Sequence, residues 1–136
     1  MTYLFDTNIW IKILKGRERV LLERVTSCTR EKISSCSTVK AELFHGAEKY
    51  DIPEARKSQL SRMLAVYPSL PFDDAAAEKY GEIRHFLEKK RCVIGPYDMQ
   101  IAAIALVHDL TLVTGNVDEF SRIPGLKVED WSADGE

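Results

Sequence analysis

Leu4-Phe5-Asp6-Thr7-Asn8-Ile9-Trp10 decides how this chain reads: an apolar run stops at a carboxylate and two small polar residues, and apolar spacing then resumes. Such a switch marks the end of a buried strand and the start of a helix. Two roles are open to Asp6 there. It could cap the helix, because Asp, Thr and Asn satisfy the free N–H groups of a first turn. Alternatively, if the strand lies centrally in a parallel sheet, Asp6 stands at its carboxyl end, where open α/β sheets build their sites.

Working outward, the same alternation continues. Helical spacing covers Asn8 to Leu14, closed near Gly16, and Glu18 to Cys28. Lys32 to Cys36 is a second strand, after which Ser37 is expected to cap a helix from Thr38 to Tyr50. Pro53 suits the first turn of a helix running to about Val66. Tyr67 to Phe72, held between Pro68 and Pro71, allows only a short edge strand. Asp73 or Asp74 caps the next helix, which ends in Glu88-Lys89-Lys90-Arg91. Tyr97 to His108 is apolar on every side and so predicts a buried helix. Leu110 to Thr114 and Lys127 to Asp130 read as strands, with a helical turn at Asp118-Glu119-Phe120 between them. Strands alternating with helices imply βαβ units with right-handed crossovers. The expected fold is therefore α/β: a three-layer α/β/α sandwich around a central, mainly parallel sheet of about five strands. One domain should span residues 1–131, with a loose tail at 132–136.

A chain of 136 residues holds one domain with a proper core. No apolar run approaches the roughly 20 residues of a membrane span, and the start lacks the pattern of a signal peptide, so the expected location is the cytoplasm and no membrane partner is expected. Cys28, Cys36 and Cys92 have neither zinc nor redox spacing and read as reduced thiols. A net charge of -2 does not advertise a nucleic-acid binder, yet a nuclease with an acidic site needs only local basic patches. Lys12, Lys15, Arg17 and Arg19 read by default as a solvated face, with phosphate contact as the minority reading. The Lys89-Lys90-Arg91 cluster suits a helix C-terminus for dipole reasons and is also a candidate for phosphate contact.

The chemistry lies in scattered acids. Glu42 has Val39, Leu43, Gly46 and Ala47 at turn spacing, which puts it on or beside an apolar face, where a carboxylate needs a lysine or a metal as partner. Asp98 falls in the first turn of the buried helix, and Asp118 and Glu119 follow a strand end. In a parallel sheet these groups and Asp6 can meet along one edge, with Glu42 and Asp98 near the starts of helices entering from that side. Carboxylates so gathered repel one another unless a cation binds, and oxygen-only donors suit magnesium, or manganese, rather than zinc. Metal-assisted phosphodiester hydrolysis is the chemistry that uses such a set without a histidine or cysteine nucleophile.

Four blocks in order, Leu-Phe-Asp6-Thr-Asn, Val-Lys-Ala-Glu42-Leu, Gly-Pro-Tyr-Asp98-Met-Gln-Ile-Ala-Ala and Thr114-Gly-Asn-Val-Asp-Glu119-Phe, resemble the PIN-domain nucleases and, within them, the VapC toxins of bacterial toxin–antitoxin pairs. The resemblance implies a magnesium-dependent endoribonuclease with Asp6, Glu42, Asp98 and Glu119 as catalytic and metal-binding acids, Asp118 adjoining the fourth place. It also implies that Thr7, Asn8, Thr114 and Asn116 orient the carboxylates or the metal's water. A VapB antitoxin and a homodimer that assembles further with it are implied as partners. The ending Phe-Ser-Arg-Ile-Pro-Gly-Leu-Lys-Val-Glu-Asp-Trp is most similar to the enterobacterial type that cuts initiator tRNA in its anticodon stem-loop. That makes tRNA the expected substrate, with Lys89, Lys90 and Arg91 as candidate RNA contacts. A PIN nuclease of RNA processing outside toxin systems, or a non-catalytic PIN binding module, is the alternative; none of the acidic places is lost. A haloacid-dehalogenase phosphatase would need an Asp where Asn8 stands, and a phospho-receiver would need a lysine near Thr114-Gly115.

Overall fold

A computed structural model describes residues 1–132; the expected tail at 133–136 lies outside the described residues. The elements follow the expected alternation: β1 (Tyr3–Phe5), α1 (Thr7–Lys15), α2 (Arg19–Ser27), β2 (Ile33–Cys36), α3 (Ser37–Ala47), α4 (Pro53–Leu64), β3 (Ser69–Leu70), α5 (Asp74–Lys89), α6 (Pro96–Val107), β4 (Thr111–Val113), α7 (Val117–Phe120) and β5 (Lys127–Glu129). Among the described residues the strands form one five-stranded sheet in the order β3-β2-β1-β4-β5, with every neighbouring pair parallel.

That order locates the site before any side chain is considered. From β1 the chain moves outward to β2 and β3, then returns to lay β4 against the other side of β1. The strand order reverses at β1 and β4, and a crevice opens beyond the carboxyl ends of such strands. Phe5 and Val113 are register partners, so Asp6 and Thr114 are the first residues past the sheet on adjacent strands. Asp6 N–H donates to the Val113 carbonyl at 3.1 Å and carries the pairing one step further.

Both sheet faces are covered by helices. Leu4 and Phe5 point to opposite faces, since side chains alternate along a strand, and both are fully buried. α6 supplies much of the core: Met99 and Ile101 to Ala105 are buried without remainder, as an all-round apolar helix requires. Each large aliphatic side chain buried in this way stabilises the fold by about 1.5–3 kcal/mol. An aromatic group closes one end, with Trp131 4.8 Å from Tyr3 and 5.2 Å from Phe5, and Trp10 5.1 Å from Tyr67. Trp131 Nε1 donates to Glu129 at 2.9 Å, which ties the last described segment to the sheet.

Three local expectations need correction. Ser37 is the first residue of α3, not its cap; its hydroxyl oxygen accepts the Phe72 N–H at 3.0 Å instead and pins the segment after β3. α3 ends at Ala47 rather than Tyr50 because the N–H groups of Glu48, Lys49 and Tyr50 turn to carbonyls three residues back, tightening the chain out of the α-helix. Glu42 is mid-helix rather than near the start of α3, and it reaches the sheet edge by its length.

Candidate active site

Asp6 fills both roles that the sequence left open. Its Oδ1 accepts the Ile9 N–H at 3.1 Å and caps α1, while Oδ2 accepts the Thr114 hydroxyl in a very short hydrogen bond. Only 6% exposed, it is the most deeply buried of the acids. Burial pushes its pKa above the ordinary range, against the lowering effect of Thr114 and Ile9; Glu42 adds to the rise and Lys12 opposes it. Thr114 is itself fully buried and accepts the Asn116 N–H at 2.9 Å. Backbone amide, hydroxyl and carboxylate thus form one relay fixing the carboxylate on β1 to the loop after β4.

Glu42 has neither the lysine nor a bare apolar setting. Its Oε1 accepts the Thr7 hydroxyl at 2.6 Å, which orients it toward the strand end carrying Asp6. Asp98, in the first turn of α6, is held differently. It accepts no side-chain or capping hydrogen bond among the described residues, and it is half-buried. Burial first, then the charges of Glu42, Asp6 and Glu119, push its pKa up to about 6. All three other expected acids therefore act on Asp98. Glu119 is half-buried and within this field, whereas Asp118 is exposed; the geometry favours Glu119 for the fourth place.

As placed, no three His, Cys, Asp or Glu side chains among the described residues are drawn tightly enough to grip a single ion. The acids share a field rather than a ligand sphere. The donor set fits a hard divalent cation all the same. It is oxygen-only, and the burial and mutual repulsion that together raise Asp98 are what a cation offsets. Softer donors do not compete: Cys36 is buried, with its thiol pushed up to about 11, and His45 is exposed.

A cleft of about 670 Å³, lined by Tyr3, Arg24, Cys28 and Trp131 among others, contains none of the four acids. A smaller one of about 300 Å³ is lined by Thr7, Glu42, His45 and Tyr97, among others, and so includes one of the four acids. Of the polar residues expected to support the acids, Thr7 and Thr114 do so through their hydroxyls and Asn116 through its backbone N–H; the Asn8 side chain bonds to none of them among the described residues. Lys89, Lys90 and Arg91 are exposed at the end of α5, just before the loop that leads to Asp98. Two features were missed from sequence. Thr38 donates to Gln100 at 2.9 Å and joins the helices that carry Glu42 and Asp98; Gln100, a polar break in an apolar helix, was the available signal. Lys12 reaches the site although its spacing reads as a solvated face.

The PIN domain family profile matches residues 3–126. The tRNA(fMet)-specific endonuclease VapC of Shigella flexneri is 35% identical over 132 residues, covering 97% of this chain and 99% of that protein. A crystal structure of DNA-bound VapBC from Salmonella typhimurium superposes with a TM-score of 0.90 at 34% identity, covering 96% of this chain and 98% of that one. VapBC2 of Rickettsia felis, bound to a DNA fragment from its promoter, gives 0.85 at 34% identity over 96% and 99%. With its strand order, its acidic edge and these full-length likenesses, the chain belongs to the PIN-domain family, on its VapC branch.

Proposed function

We propose that this chain is the toxin of a toxin–antitoxin pair, an endoribonuclease that hydrolyses RNA phosphodiester bonds with a divalent metal, magnesium by preference and manganese in its place. The observation that carries the reading is the convergence of Asp6, Glu42, Asp98 and Glu119 on the crevice where the strand order reverses. These four would hold the ion. Bound there, a divalent cation activates water and neutralises charge growing on the phosphoryl and leaving oxygens.

The chain's own part is to position and to hold protons. Thr114 and the Ile9 amide fix Asp6, leaving a lone pair on each oxygen free. Thr7 aims Glu42. Asp98, with no hydrogen bond of this kind, keeps its oxygens free, and near pH 6 protons compete for them. The Thr38–Gln100 bond sets the spacing of the helices bearing Glu42 and Asp98.

The likeness to a protein named for tRNA(fMet) cleavage supports initiator tRNA as substrate and translation as the process stopped. The VapBC neighbours support a VapB antitoxin as partner; a homodimer as the assembling unit and the cytoplasm as location belong to the same reading. An apolar groove of about 400 Å³, lined by Ile11, Leu14, Leu43, Ala47 and Leu60 and reaching Glu42, gives an antitoxin tail a path to the acids. Incubation of the purified chain with a tRNA(fMet) transcript tests the reading. Cleavage is expected with magnesium and is expected to stop with chelator or with Asp98→Asn; cleavage that survives either change would overturn it.

A further inference from the structure

A second cleft, of about 580 Å³, opens where α1, the start of α2 and the loop after β4 meet, and Lys12, Lys15 and Arg17 line it against the single acid Glu18. Lysines in the last turn of α1 have an ordinary role at the negative end of the helix dipole. Lys12 goes further than that role needs. Its ammonium lies over the backbone of Gly115, where a Cβ would stand 3.7 Å away, and it pairs with Glu18 at 3.6 Å. The loop under it is the one whose Asn116 N–H bonds Thr114, which in turn holds Asp6, so the floor of the cleft and the acidic edge form one bonded unit.

An RNA strand that brings a phosphodiester to four carboxylates meets repulsion, and a net charge of -2 supplies no overall attraction. The adjoining phosphate needs local cations near the acidic edge, and this cleft gathers three over a loop that is bonded through Thr114 to Asp6. We propose that the cleft seats the phosphate flanking the cleaved bond, held by Lys12, Lys15 and Arg17, with Glu18 as a built-in competitor that occupies Lys12 until the phosphate displaces it. This rests on the ribonuclease reading of the acidic edge. Glu18 has the position of the α2 N-cap but makes no side-chain capping bond, so its carboxylate is free for that exchange.

Affinity for a tRNA(fMet) transcript, measured by fluorescence anisotropy across a salt series in an Asp98→Asn background, tests the proposal. Changing Lys12, Lys15 and Arg17 together to Gln is expected to weaken binding about tenfold and to flatten the salt slope by about 0.7, the value for one phosphate contact on a single strand. Glu18→Gln should act in the opposite direction and tighten binding about twofold, because Lys12 is released. If the triple variant does not fold, Lys12→Gln alone should still weaken binding, and Lys12→Arg should restore it. Unchanged affinity and slope in the Gln variants, or weaker binding in Glu18→Gln, would overturn the cleft. Cleavage by the unaltered chain in magnesium is read separately: its failure removes the ribonuclease reading, whereas its presence alongside unchanged binding removes the cleft alone.

Discussion

The two halves of the acidic edge are built in opposite ways. Asp6 and Thr114 sit on strand ends, buried and bonded to each other and to two backbone N–H groups, so each atom there has a structural task. Glu42, Asp98 and Glu119 ride on helices, half-buried, and only Glu42 has a hydroxyl to steady it. The strand-borne half belongs to the fold as much as to the chemistry. The helix-borne half has fewer structural tasks, and burial and its own charge raise the pKa of Asp98 within it.

The sharpest way to break this contrast is to separate activity from stability. Asp98→Asn should lower RNA cleavage by about a thousandfold or more, in the range seen when a group that stabilises the transition state is lost, and should leave the denaturation midpoint no lower. Asp6→Ala should abolish cleavage as well, but at a cost of about 1–3 kcal/mol in chemical denaturation, because the α1 cap is lost and the Thr114 hydroxyl is left unpaired. Equal stability losses at the two positions would erase the distinction.

Thr114→Val and Thr7→Val make the same comparison with hydroxyls. Removing the buried Thr114 hydroxyl leaves the Asn116 N–H and the Oδ2 of Asp6 without a partner, at a cost of about 1–3 kcal/mol, whereas Thr7, partly exposed, should cost under about 1. Urea unfolding of both variants is the check, and the reverse ranking would count against the strand-borne half as the structural one.

The smallest effect expected concerns pH. Asp98 titrates near 6 when folded, against an ordinary 3.8, so its ionisation works against folding. Its contribution to stability is complete below pH 3.8 and is lost as pH rises through about 6. Asp98→Asn should therefore melt slightly higher than the unaltered chain at pH 7.5 and match it near pH 4. A gap that is constant with pH would show that neither burial nor the other acids raise the pKa of Asp98.

This contrast also explains what could be read from the sequence. Alternating apolar runs with caps at Asp6, Asp73 and the helix-starting prolines were enough for the sheet, its parallel sense and the layer plan. Asp6 could not be decided as cap or ligand, because the two oxygens of one carboxylate divide the work. Glu42's partner was not legible, since Thr7 lies 35 positions away and meets it only when α1 packs on α3. Ser37 was misread because a hydroxyl at a helix start caps it in most settings, and only the edge segment after β3 supplied a competing N–H. Lys12 escaped notice because helical periodicity says which face a residue lies on, not which loop from the far end of the chain will lie beneath it. Glu119 was separable from Asp118 only through exposure, which adjacent acids in a sequence do not reveal.

Titration calorimetry with magnesium on the unaltered chain and on Asp6→Asn, Glu42→Gln, Asp98→Asn, Glu119→Gln and Asp118→Asn tests most directly whether the edge is one metal site. The expected result is binding by the unaltered chain and by Asp118→Asn, with affinity lower by about tenfold or more in each of the other four, as when a charged ligand is removed. Equal affinity in the unaltered and Asp98→Asn chains would contradict it.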